Sequence, residues 1–222
     1  MNRGVMERER DAVAAAGREL AADGLVIGTS GNLSLRTDER VAVTPTGAAL
    51  AELEAADVAV VGLDGKQVAG GLAPTSELGL HLGIYGRYGS RAVVHTHAPM
   101  ATTLGLVLDE LPCVHYEMLG LGGAVRVAPY ATFSSAELAE AVLDALADRT
   151  AALMANHGAV THGPDLAAAV RAMRLLEWAC ALYWRAATIG TPRTLDPDQL
   201  GAVVDTIAAL DYGAPRAAEP PR

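Results

Sequence analysis

From residue 7 to 22 apolar side chains recur at helical spacing, with Val13, Ala16 and Leu20 on one side, and Gly24 is placed to close the helix. The pattern then shortens. Apolar runs at 33–36, 41–44, 58–63 and 67–69 are separated by Thr-Asp, Pro-Thr-Gly and Asp-Gly turn signals and predict four short strands. Thr75 or Ser76 can cap a helix from Glu77 to about Tyr88, followed by a strand at 92–95 and a short helix from Pro99. Extended pieces are expected at 112–116 and 125–128, then a helix capped by Ser134 or Ser135 that runs to about Leu146. A buried strand at 151–156 precedes a long Ala- and Leu-rich helix from Asp165 to Ile189, and a last helix covers about 197–210. The Pro-rich segment 213–222 reads as a frayed tail. Tight turns join many of these strands, where a parallel sheet would need crossovers, so the pattern predicts a mixed, mostly antiparallel sheet covered by helices. Nothing marks a domain boundary, and 1–222 reads as one domain.

Composition narrows the classes. The net charge of −9 argues against a nucleic-acid footprint, which needs clustered Lys and Arg. No apolar stretch approaches the ~18 residues of a membrane span, and the first residues lack the apolar core of a signal peptide. Cys113 and Cys180 stand in unrelated contexts, which speaks against a disulfide framework. A soluble, cytoplasmic protein is expected. Lys66 is the only lysine and sits in an Asp-Gly-Lys turn. Imine chemistry needs a desolvated lysine, so a Schiff-base mechanism is not expected.

The chemistry concentrates on a few positions. His95 and His97 lie two apart at a strand end, and such side chains point to one face. They either converge on a divalent metal, which zinc-type sites bind through His nitrogens with one position left open, or are two histidines at a strand end. His157 follows another buried run and precedes Gly158, so its ring can be exposed at a sheet end too. His81, mid-helix, and His115 and His162, the last in a Thr-His-Gly turn, read as ordinary residues. Glu77 is either a first-turn acid complementing the helix dipole or a carboxylate near the metal able to move a proton beside a carbonyl. Three donor-rich loops, 28–32, 44–47 and 75–76, have the small residues of an anion nest. None fits a nucleotide-binding pattern.

Taken together, Gly28-Thr-Ser-Gly-Asn-Leu-Ser, Thr44-Pro-Thr-Gly, Pro74-Thr-Ser-Glu, Val93-Val-His-Thr-His, Ala128-Pro-Tyr-Ala-Thr-Phe and Asn156-His-Gly resemble the class II aldolase/adducin-head family, over nearly the whole chain. The resemblance implies a three-layer α/β/α sandwich and a homotetramer with active sites between subunits. It implies that His95, His97 and His157 bind zinc, one ion per subunit, with manganese or cobalt accepted by the same donors. Glu77 is then a fourth, displaceable ligand and the acid/base. Gly31, Asn32, Thr46, Gly47, Thr75 and Ser76 would hold the substrate phosphate. Tyr116 would reach a neighbouring subunit's site to protonate the aldehyde oxygen, and Phe133 and Tyr212 would shape the aldehyde pocket. The implied reaction cleaves a ketose-1-phosphate, resembling L-fuculose 1-phosphate, to dihydroxyacetone phosphate and a small aldehyde such as lactaldehyde. Sugar-phosphate 4-epimerases and methylthioribulose-1-phosphate dehydratases share the fold and metal, and adducin-like heads keep the fold as assembly modules. Glu117, after Tyr116, departs from the pattern and reads as a rim acid or as a contact to a different aldehyde.

Overall fold

The structure is a computed structural model and describes residues 4–210; Tyr212 and the expected tail at 213–222 lie outside the described residues. Nine strands form one sheet: β1 (Asn32–Thr37), β2 (Arg40–Val43), β3 (Ala59–Gly62), β4 (Gln67–Ala69), β5 (Ala92–Thr96), β6 (Glu110–Leu111), β7 (Val125–Ala128), β8 (Ala151–Met154) and β9 (Gly158–Gly163). Their order across the sheet is β4-β3-β2-β1-β5-β9-β8-β7-β6. Every neighbouring pair is antiparallel except β7 and β8.

Strand periodicity divides the side chains between two faces. Leu33, Ala42, Val94, Leu153 and Ala159 pack with residues of α1 (Glu7–Ala22), α3 (Pro99–Gly105) and α5 (Leu166–Ile189). Their strand neighbours Val43, Val93, Ala152, Met154 and Val160 pack with α2 (Leu78–Tyr88) and α4 (Ala136–Ala145). The result is the expected three-layer arrangement around a mostly antiparallel sheet. The core follows from parity: in β5, Val93 and His95 share the α2/α4 side while Val94 and Thr96 share the other. Thr96 Oγ1 accordingly donates to Met173 Sδ of α5 at 3.2 Å.

Capping follows the sequence at two helices. Ser135 Oγ accepts from Leu138 N and Asp165 from Ala168 N, each closing a first turn. Lys66 lies in the β3–β4 hairpin, exposed and 3.0 Å from Asp64.

Four expectations change. Glu77 is the N-cap of α2 and neither Thr75 nor Ser76 is; Thr75 Oγ1 instead accepts from Glu77 N within the turn. The piece at 112–116 is not a strand. Pairing is confined to Glu110–Leu111, and Tyr116 opens a 3₁₀ turn, Tyr116–Leu121, seated by His115 Nδ1 accepting from Glu117 N. The strand at 151–156 stops at Met154, because Asn156 takes φ 56° in a tight turn. His162 is in β9 rather than a turn, buried, with Nδ1 against Ser90 Oγ and Nε2 against Arg149 O. The expected helix at 197–210 is present as α6 (Pro197–Leu210), but none of its residues is buried.

Candidate metal centre and substrate cleft

The antiparallel pairing of β5 with β9 aligns His95 with Val160 and Thr96 with Ala159. His97, just past the end of β5, therefore meets His157, just before β9. Gly158 makes this approach practicable, since a Cβ there would lie 2.3 Å from Thr96 O and 3.0 Å from the His97 ring. The three imidazoles form a triangle with ring centroids 5.0, 4.9 and 4.9 Å apart. One nitrogen from each lies within 4.8 Å of the others.

The proton positions suit a cation. His95 Nδ1–H donates to Ala159 O at 2.9 Å, so in the neutral ring Nε2 carries the lone pair. That lone pair points to His97 Nε2, 3.2 Å away. Burial pushes the His95 imidazole down to about 3 and lowers His97 and His157 as well, so the rings are neutral, as ligands must be. The hydrogen bond to the carbonyl is the outer support that metal-binding histidines ordinarily have.

Glu77 enters from the start of α2. It is 7% exposed, with Oε2 3.2 Å from His95 Nε2 and Oε1 3.6 Å from His157 Nε2. Burial raises its pKa, but the N–H of the Asn32 amide favours the charged carboxylate, and the carboxyl lies below its usual value. Oε1 is buried without a hydrogen-bond partner. An orphaned carboxylate oxygen beside three converging imidazoles fits a divalent cation, which would satisfy all four groups together.

A cleft of about 360 Å³ opens on this cluster. Its lining brings together Gly31, Asn32, Thr46, Gly47, Thr75 and Ser76, the aromatic Tyr130 and Phe133 with Ala131, and Glu77, His97 and His157. His95 lies behind them, fully buried. The loops meet through pairing of distant segments: Pro45 bridges Pro74, and Thr75 N donates to Thr44 O at 3.0 Å. Gly31, at φ 98°, lets its loop pass close to His95 O. Among the described residues lining the cleft none is Lys or Arg. Tyr116 is not among them either. It is 38% exposed, stacks on His115 and lines an apolar groove with α6. Tyr212 is outside the described residues. Sequence reasoning passed over His81, which is fully buried and bonded to Asn32 and Ser34. The available signal was its place one helical turn after Glu77, on the same face of α2.

Known proteins are similar to this chain in sequence and fold. The family described as Class II Aldolase and Adducin N-terminal domain matches residues 11–184. A 5-deoxy-D-ribulose 1-phosphate aldolase of Bacillus thuringiensis serovar kurstaki is 36% identical over 199 residues, 88% of this chain and 93% of that protein. The L-fuculose phosphate aldolase of Escherichia coli K12 is 34% identical over 188 residues, covering 84% and 87%. A solved L-fuculose 1-phosphate aldolase superposes with a TM-score of 0.87 at 30% identity, over 92% of this chain and 98% of that one. With three converging histidines beside a buried glutamate at its cleft, the chain belongs to the class II aldolase and adducin N-terminal family, as one of its metal-dependent lyases.

Proposed function

We propose that the protein cleaves a short deoxyketose 1-phosphate, of the 5-deoxypentulose class, between C3 and C4 to give dihydroxyacetone phosphate and a small aldehyde. The observation that carries this reading is the buried Glu77 carboxylate set among three histidines, in a cleft lined by neutral donors and by aromatic rings. The 36% identity to a 5-deoxy-D-ribulose 1-phosphate aldolase supports the substrate class.

His95, His97, His157 and Glu77 would hold a divalent ion, with zinc suited to this donor set. Such an ion supplies Lewis-acid polarisation of the substrate carbonyl. Thr46, Thr75, Ser76 and the backbone at Gly31 and Gly47 hold the phosphate with neutral hydrogen bonds, beside the N-terminus of the eleven-residue α2. These donors sit away from the reacting carbons, so they orient the substrate. On cleavage the C4 hydroxyl passes its proton by way of Tyr116 to water, the C3–C4 bond pair passes towards C3 and the carbonyl, and Glu77 delivers to C3 a proton it has taken up from water. Phe133 and Tyr130, each 65% exposed, offer the aldehyde's methyl end an apolar wall.

Tyr116 handles the proton on the aldehyde oxygen, in the cleft of a neighbouring subunit. Its absence from the lining of its own cleft and the exposed Val204, Ile207 and Leu210 on the adjoining helix favour an assembly, proposed as a homotetramer. The test is release of dihydroxyacetone phosphate from 5-deoxyribulose 1-phosphate and from L-fuculose 1-phosphate, by metal-loaded and chelated protein. Metal-dependent release, faster with the deoxypentulose, is expected. Faster release from fuculose 1-phosphate would reassign the sugar, and no release from any ketose 1-phosphate would remove the aldolase reading.

A further inference from the structure

A line of hydrogen bonds leaves the site and runs into the core beneath α2, and its direction is fixed from the Glu77 end. Asn32 Nδ2 donates to Glu77 Oε2 at 2.9 Å. The amide oxygen Oδ1 therefore faces His81 Nε2, 2.6 Å away. An amide oxygen only accepts, so Nε2 carries the proton. A neutral imidazole has one N–H, which makes Nδ1 the acceptor from Ser34 Oγ at 2.7 Å. Ser34, having donated, accepts from the Tyr85 hydroxyl at 2.5 Å. Burial, which holds the His81 ring neutral, agrees with this assignment. All five side chains are buried, and they join β1 to α2 at the point where Asn32 pairs with His95.

The two oxygens of Glu77 are thereby made unequal. Oε2 is fixed by the amide, while Oε1 has no hydrogen-bond partner. We propose that His81 is a positioning residue for Glu77: by donating to Asn32 Oδ1 it keeps the amide N–H on Oε2 and leaves Oε1 free of any hydrogen bond, able to face a bound cation or, when displaced from it, to carry the proton. Without that donor Oδ1 would be buried and unsatisfied, and the Asn32 side chain would turn in search of a partner, drawing its N–H from the carboxylate. The proposal rests on the aldolase reading only for the reaction step.

Two measurements test it. In metal-free protein with ¹⁵N-labelled histidine, the ring signal lost in His81→Gln is expected in the neutral Nε2–H form; an Nδ1–H ring would overturn the assignment. The second is deuterium uptake from heavy water into dihydroxyacetone phosphate, measured per bound metal ion. His81→Leu should slow uptake by about 10–100-fold with KM for dihydroxyacetone phosphate little changed. His81→Gln, whose amide N–H reaches about as far as Nε2, should recover most of the rate. Uptake in His81→Leu equal to the parent, or in His81→Gln as slow as in His81→Leu, would overturn the proposal. Absence of uptake in the parent would instead remove the aldolase reading, and the ring tautomer alone would then decide the role of His81. The tautomer also decides if His81→Leu does not fold.

Discussion

At the scale of single residues the site is a contest between desolvation and pairing. Glu77 keeps its charge in a buried setting because Asn32 donates to it and imidazoles surround it. Glu77→Gln preserves shape but removes the basic oxygen. The expected outcome is a folded protein that still holds phosphate ligands, with proton uptake at C3 slowed about 10²–10⁴-fold, as followed by deuterium incorporation; retained incorporation would mean that another group is the base. Strand parity made His95 and His97 legible as a pair, and Gly158 after His157 marked a turn; that these three and Glu77 act together came from the family resemblance. His81 was read as ordinary, since its place one turn after Glu77 does not tell what lies beneath the helix. Its partners Asn32 and Ser34 are 49 and 47 residues away along the chain.

At the scale of elements, the metal cluster is built by the register between β5 and β9. Neither strand alone brings His97 to His157. The strand β9 was passed over in the sequence because Gly158 and the Thr-His-Gly end imitate turns; its pairing on both sides with β5 and β8 decides otherwise. Gly158→Ala should therefore act on both stability and site. The added methyl would meet the Thr96 carbonyl, a backbone atom with little freedom to move. Loss of about 1–3 kcal/mol in denaturant unfolding is expected, together with weaker metal binding by titration calorimetry. Unaltered metal affinity would show that the β5–β9 contact does not set the ligand triangle. Residues 112–116 teach the converse lesson. They carry an extended-looking pattern, but with no neighbouring strand to pair with beyond Leu111 they remain irregular and then close into a 3₁₀ turn.

At the scale of the whole molecule, buried histidines make folding depend on pH. The His81 ring, ordinarily near 6.5, is pushed down to about 4 by burial, with Glu77 pulling the other way. Between those values the unfolded chain binds a proton that the folded chain does not. Its contribution is therefore complete above pH 6.5 and is lost as pH falls towards 4, on the order of 3 kcal/mol. Thermal melts across this range should show a slope that His81→Leu reduces; an unaltered slope would place the acid sensitivity elsewhere. The apolar groove of Ala202, Val203, Thr206, Ile207 and Leu210 beside Tyr116 bears on assembly. Ile207→Glu is expected to shift the protein to smaller species in size-exclusion chromatography and to lower cleavage more than proton exchange. An unchanged elution volume would remove α6 from the proposed subunit contact. No described helix is long and apolar enough to cross a membrane.

The sequence by itself determined most of the local matters: where the helices and the majority of the strands lie, and which side chains at strand ends point together. These depend on periodicity and turn chemistry within a few residues. It also determined, through the ordered set of short motifs, the family and the three-layer fold. Tertiary structure decided what depends on contacts between segments remote in the chain. It alone joined the 28–32, 44–47 and 75–76 loops into one wall, set His157 against His97, and left Glu77 with one held and one open oxygen. Those outcomes follow from strand register and burial, which no local pattern encodes, and they turn a list of reactive residues into a site with a direction.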